Sequence, residues 1–364
     1  MRKFLFKCAV FVLLLGLVPA VELFLLPPDL FNFRVWESIT TPFNRFGFGP
    51  GFFYPGKHIR KLERGDHENA RWNDPEPVQT EWWTDSHGFR NRPEVADLDS
   101  YFAVTIGDSH IAGSHLDQAN TLAVRLSALT GKPVYNYGGN ESLTLKFFND
   151  PRWKKLPVRY VIIEARPVSF GPNGPLRGVF TPLPDGSLRL ADYAFPPKEA
   201  NSAQAELEDR LLKQNWLQFL RSRLKVVRMA PEWPAQSAPV ALAQASAAAS
   251  AAVPAVPAAV VELPPPPKNE VLDFAFKAVM AVKTACDKRG SRFIFLLMPS
   301  EDRSLDTLPH MLKNAGVKVL ACVPGDDGFP CPENLGGFYS TYDTHWTPKS
   351  VEYTAERLRC MLSE

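Results

Sequence analysis

Five short apolar runs recur along the chain, separated by spans with helical spacing, and this alternation constrains the fold more than any other feature. The runs are "YFAVTI" (101 to 106), "PVYNYGG" (133 to 139), "VRYVIIEARP" (158 to 167), "RFIFLLMP" (292 to 299) and "VKVLACV" (317 to 323). Helical spacing fills 120 to 129 (Leu122, Val124, Leu126, Leu129), 141 to 155, 269 to 288 and 305 to 314. A strand that is apolar throughout is buried on both faces, and strands alternating with helices predict a parallel sheet covered on both sides. The expected class is α/β, a flavodoxin-like three-layer α/β/α architecture with about five parallel strands.

The alternation lapses between residues 170 and 267, which read as an insertion within one domain (80 to 364). Its first part suggests a hairpin about Asp185-Gly186, and residues 202 to 228 form an amphipathic pattern through Leu212, Trp216, Phe219, Leu220 and Leu224. Residues 230 to 267 contain "PAQSAPVALAQASAAASAAVPAVPAAVVELPPPP". Repeated prolines and few large apolar side chains make this tract a disordered linker.

At the N-terminus, Arg2, Lys3 and Lys7 precede an uncharged run from Cys8 to Val21. Residues 1 to 27 therefore read as an export segment. Leu23 to Leu26 extend it toward an uncleaved anchor; a signal peptide ending at Val18-Pro19-Ala20 is the alternative. The positive flank would stay in the cytoplasm and the remainder cross the membrane. Residues 28 to 79, aromatic and rich in Pro and Gly, read as irregular membrane-proximal structure. A formal net charge of +2 argues against nucleic acid as a partner.

An exported chain meets an oxidising compartment, and Cys322 and Cys331 bracket the turn-rich "VPGDDGFP". They are candidates for a disulfide, with buried apolar thiols as the other reading. No cysteine or histidine spacing points to a metal, and no cofactor is expected.

The first strand ends in "GDSH", and the last element opens with "YDTHWTP", where Thr347 suits an N-cap and Pro348 the first helical position. A serine hydroxyl becomes a nucleophile only beside a base, and the base needs an orienting carboxylate. Ser109, His345 and Asp343 are the candidates, and all three are expected at the carboxyl edge of the sheet, where open α/β sheets bind ligands. The glycine turn after the second strand offers Gly139 and Asn140 as oxyanion donors. Asp108 and Arg166, beside the same edge, complete the candidate substrate-binding residues. His110 and Trp346 read as packing residues, and Glu164 and Arg166 as a local ion pair.

The G-D-S turn and the Asp-x-His before the last helix resemble the SGNH, or GDSL-type, hydrolase superfamily. "DSHGFRN" (85 to 91) and "YDTHW" are similar to its membrane-anchored branch of alginate O-acetyltransferase-like proteins. The resemblance spans residues 80 to 175 and 268 to 364. It implies Ser109 as nucleophile, His345 as general base and Asp343 as its orienter. It further implies acetyl transfer to an exported polysaccharide, or its removal by an esterase, or a non-catalytic scaffold that keeps the fold. The implied setting is the periplasmic side of a bacterial inner membrane, with a polytopic acyltransferase supplying acyl groups. One departure stands out: the family's third block carries an asparagine, whereas this chain has Glu164-Ala165-Arg166.

Overall fold

The structure is a computed structural model that describes residues 2–25, 34–40, 51–63, 78–194, 268–300, 304–321, 339 and 345–363. Asp343, Cys322, Cys331, the 202 to 228 pattern and the 230 to 267 tract lie outside the described residues.

The chain begins with α1 (Arg2–Phe24) and α2 (Val35–Ile39), followed by an antiparallel pair, β1 (His58–Glu63) with β2 (Val78–Trp83). Then come α3 (Pro93–Ala96), β3 (Tyr101–Gly107), α4 (Ser109–Ala112), α5 (Leu122–Thr130), β4 (Val134–Gly138), α6 (Leu143–Asn149), α7 (Pro151–Lys155) and β5 (Val158–Ala165). After the hairpin β6 (Phe180–Pro182) and β7 (Leu188–Leu190), the chain continues as α8 (Lys268–Lys288), β8 (Arg292–Leu297), α9 (Leu308–Asn314), β9 (Lys318–Ala321) and α10 (Pro348–Leu362).

Strands β4-β3-β5-β8-β9 form one parallel sheet in that order. Counting only sheet strands, the order is 2-1-3-4-5, and the winding reverses between β3 and β5. Side chains alternate between the two faces, as the period of a strand requires. Val104, Ile106, Val161, Ile163, Phe293 and Phe295 join Phe147 of α6, Val279 of α8 and Leu312 of α9 in one core cluster. Ala103, Tyr160, Ile162, Ile294 and Leu296 join Ile111 of α4, Leu126 of α5 and Val351 and Leu358 of α10 in the other. The result is the three-layer α/β/α arrangement expected from the alternation.

Three expectations are revised. Among the described residues no helix is long and apolar enough to cross a membrane. The uncharged stretch of α1 runs only from Cys8 to Val21 between Lys7 and Glu22. That is about 21 Å of helix against a hydrocarbon core of about 30 Å, short of the span expected within residues 1 to 27. The helix expected over 141 to 155 is two helices. Pro151 cannot continue the first ladder, and the Asp150 side chain accepts from Arg152 N at 2.9 Å to cap the second. The stretch expected to be irregular over 28 to 79 contributes α2 and β1. Its aromatics pack inward: Phe53 lies edge-on to Trp82 with centroids 5.4 Å apart. The hairpin expected at Asp185-Gly186 is present, with Gly186 at a φ of 78°.

Candidate active site

Ser109 begins α4 directly after β3, and Asp108 is the N-cap, its Oδ1 accepting from His110 N at 2.8 Å. The turn is tight because glycines permit close approach on both strands. A Cβ on Gly138 would lie 2.3 Å from Ala112 N, so α4 packs directly on the end of β4. A Cβ on Gly107 would lie 2.3 Å from Glu164 Oε2. Asn136, buried in β4, accepts from Gly138 N and donates to Ile111 O, both at 2.9 Å. That polar residue within an apolar run was a signal in the sequence.

A second support comes from Arg90, in the "DSHGFRN" segment. Buried to 1% exposure, it donates to Ala112 O, Gly113 O, Leu116 O and Glu81 O, and to Gln118 Oε1. Its guanidinium carbon lies 3.6 Å from the centroid of the Trp82 ring. Burial pulls the Arg90 pKa down to about 9, and Glu63 and Asp117 oppose that shift. The carbonyls that follow α4 are thus held by one side chain.

His345 reaches the site from the opposite end of the chain. Thr347 caps α10 in a capping box with Ser350, and a backbone bridge joins Tyr339 to Trp346. Tyr339 Oη donates to Pro299 O at 2.7 Å, tying this loop to the end of β8. Between these anchors, His345 Nε2 lies 2.7 Å from Ser109 Oγ. The serine and the imidazole therefore meet at the carboxyl edge of the sheet.

No family model and no curated protein matches the chain. A solved structure described as a lipolytic protein of G-D-S-L family, from Desulfitobacterium hafniense DCB-2, is similar at 12% identity with a TM-score of 0.33, covering 71% of this chain and 97% of that one.

The remaining candidates divide by what their donors and acceptors already serve. Gly139 N–H donates to Gly107 O at 3.0 Å and is not free for an oxyanion, which corrects its expected role. Its place is set instead by close approach to Phe52, whose Cβ lies 2.6 Å from where a Gly139 Cβ would be. Asn140 Oδ1 accepts from Ser142 Oγ at 2.5 Å, which leaves the amide of the same side chain as a donor. Ser109 N–H, at the first helical position, has no intrahelical acceptor.

Asp108 is buried and faces neighbouring protein groups rather than a substrate, which corrects its expected role as well. Its Oδ1 lies 2.8 Å from His110 Nδ1, and Arg166 Nε lies 2.9 Å from its Oδ2. Burial raises the Asp108 carboxyl, but His110 and Arg166 outweigh burial and hold it well below the usual carboxylate range. Arg166 reaches Asp108, and also Glu141 Oε1 at 3.6 Å, rather than making the expected local pair with Glu164. Glu164 Oε2 accepts from Asp108 N at 3.0 Å. Burial, followed by the charge on Asp108, raises the Glu164 carboxyl well above its ordinary value. The His110 ring stands 5.0 Å from the ring of His345 and 5.8 Å from that of Trp346, which is buried. Glu141 and Tyr339 were not singled out in the sequence, because only the fold brings them to this edge, and Glu164 was read there only as a partner of Arg166 in the family's third block.

Proposed function

We propose that the protein is an extracytoplasmic serine-dependent acyltransferase, moving acetyl groups onto an exported polysaccharide. The observation that carries this reading is the 2.7 Å contact between His345 Nε2 and Ser109 Oγ. A neutral imidazole with its proton on Nδ1 accepts the serine proton as Oγ bonds to the acyl carbon of the donor. Asp343 is assigned the role of holding that Nδ1 proton, on the strength of the D-T-H spacing. Negative charge builds on the carbonyl oxygen, and Ser109 N–H and the Asn140 amide are its assigned donors. Collapse of the tetrahedral intermediate breaks the bond to the leaving oxygen, which takes the proton from His345. A hydroxyl acceptor then loses its proton to His345 and bonds to the acyl carbon, and the bond from that carbon to Oγ breaks as His345 returns the proton to Ser109.

The resemblance to acetyltransferase-like proteins points to a sugar hydroxyl as acceptor, and the positively flanked export segment points to a periplasmic location. Acetyl-CoA is cytosolic, so a polytopic membrane acyltransferase is the natural donor partner. Hydrolysis is a second reading with the same acyl-enzyme, favoured by the partial exposure of Ser109, which lets water reach the hydroxyl.

The test uses the purified full chain in detergent, a chromogenic acetyl ester and an oligosaccharide acceptor. Acetylated oligosaccharide formed at the expense of free acetate supports transfer, and ester cleavage unaffected by acceptor supports hydrolysis. Undiminished turnover by S109A would overturn both.

A further inference from the structure

Two buried carboxyl oxygens in this site accept no hydrogen bond. Glu164 Oε1 has no partner, and Asp108 Oδ2 has only the ion-pair contact with Arg166, which lacks hydrogen-bond geometry. One oxygen from each carboxyl and a His110 ring nitrogen lie within 4.8 Å of one another. Glu164 is 2% exposed, and Gly107 leaves the gap through which it reaches the turn. Orphaned buried oxygens are costly, and two adjacent carboxylates out of water require a cation or a proton between them.

A divalent cation is the weaker solution. Arg166 already stands beside Asp108 Oδ2, and Asp108 Oδ1 already accepts from His110 N and faces His110 Nδ1. A proton on Glu164 Oε1 removes the second buried negative charge without a further cation.

We propose that Glu164 is a positioning residue kept as a neutral acid, its Oε2 accepting the Asp108 N–H while its buried Oε1 carries the proton. That bond fixes Asp108 from its backbone, while His110 and Arg166 hold its side chain. Asp108 then holds the first turn of α4, and with it Ser109. Neutrality also matters to the chemistry, since an ionised Glu164 would add negative charge beside the developing oxyanion. The groups facing Glu164 are Asp108, His110, Glu141, Arg166 and the Tyr339 phenol, with His345 beyond His110. The direction of the Glu164 shift, set by burial and then by Asp108, agrees with this placement.

The inference rests on the proposed acyl-transfer site, so its test includes a readout that needs no turnover. Infrared difference spectra of the full chain against E164Q at neutral pH are expected to show the C=O stretch of a protonated carboxyl, lost in the variant. Absence of that band overturns the proposal, as does a stoichiometric divalent cation that E164Q loses.

In ester turnover, E164Q, which keeps both a neutral donor and an acceptor, is expected to stay within about twofold of wild type at neutral pH and to escape the loss of turnover that ionisation of Glu164 is expected to bring in wild type as pH rises. E164A is expected to lower kcat about a hundredfold with little change in KM, the scale of a misplaced reacting group. A folded E164Q with kcat as low as that of E164A would show that the carboxylate itself is needed. If wild type turns over no ester while the protonated band is present, the acyl-transfer reading fails and the neutral acid stands.

Discussion

His345 Nε2 and Ser109 Oγ lie 2.7 Å apart although 236 positions separate them in the chain. If the contact is a base activating a nucleophile, either partner alone is indispensable, and removing the second adds little. S109A and H345A are each expected to lower kcat for an acetyl ester by about 10⁴-fold or more, with the double variant no worse than the poorer single one. Steady-state kinetics on the three variants checks this, and additive losses would break the pairing.

Arg90 serves the carbonyls after α4 from within the protein, so its removal leaves buried acceptors unsatisfied. R90M, which keeps much of the stem over Trp82, is expected to lose about 3 kcal/mol or more of stability. R90K retains a charge but not the fork, and is expected to recover only part of the loss. Urea denaturation of the three proteins measures both effects.

Gly138 admits α4 onto β4, and the nearest neighbours of an added Cβ are backbone atoms of Ala112 and Ile111, which cannot swing aside. G138A is expected to destabilise the protein by about 1 to 3 kcal/mol, the scale of overpacking, and to cut ester turnover by shifting Ser109. Unchanged kcat in G138A would show that Ser109 does not depend on this contact.

Lys146 of α6 is buried without a hydrogen-bond partner for its Nζ, which lies 5.6 Å from the centroid of the Tyr193 ring. Burial lowers its pKa from 10.5 to about 8. The folded state therefore binds fewer protons than the unfolded state between those values, and this group's contribution to stability rises with pH across that window. Below pH 8 the full cost of burying the charge is present. K146M is expected to gain about 1 to 3 kcal/mol at pH 7, the gain shrinking toward pH 10.5. A gain independent of pH would assign it to packing instead.

The Glu164 shift has the opposite sign. Its folded value stands above 4.5, so the folded state holds the extra proton and this group's contribution to stability falls as pH rises from there. E164Q is expected to match wild type at or below pH 4.5 and to exceed it in urea midpoint at neutral and alkaline pH. Parallel denaturation series at the two pH values check the sign.

The sequence by itself determined what depends on neighbours a few residues apart. Apolar runs bounded by turns marked all five strands of the parallel sheet, Asp185-Gly186 marked a hairpin, and Thr347-Pro348 marked the start of α10. The Gly-Asp-Ser turn after the first of those strands drew attention to Ser109 for the same local reason. Tertiary structure alone decided the strand order β4-β3-β5-β8-β9, and with it which strand ends share an edge. It spent the Gly139 N–H on Gly107, brought Glu164 to the Asp108 backbone across 56 positions and drew Arg166 to Asp108 rather than Glu164. Periodicity and caps are short-range signals, whereas the partner of a buried hydrogen-bonding group is set by sheet register and by the packing of elements distant in the chain.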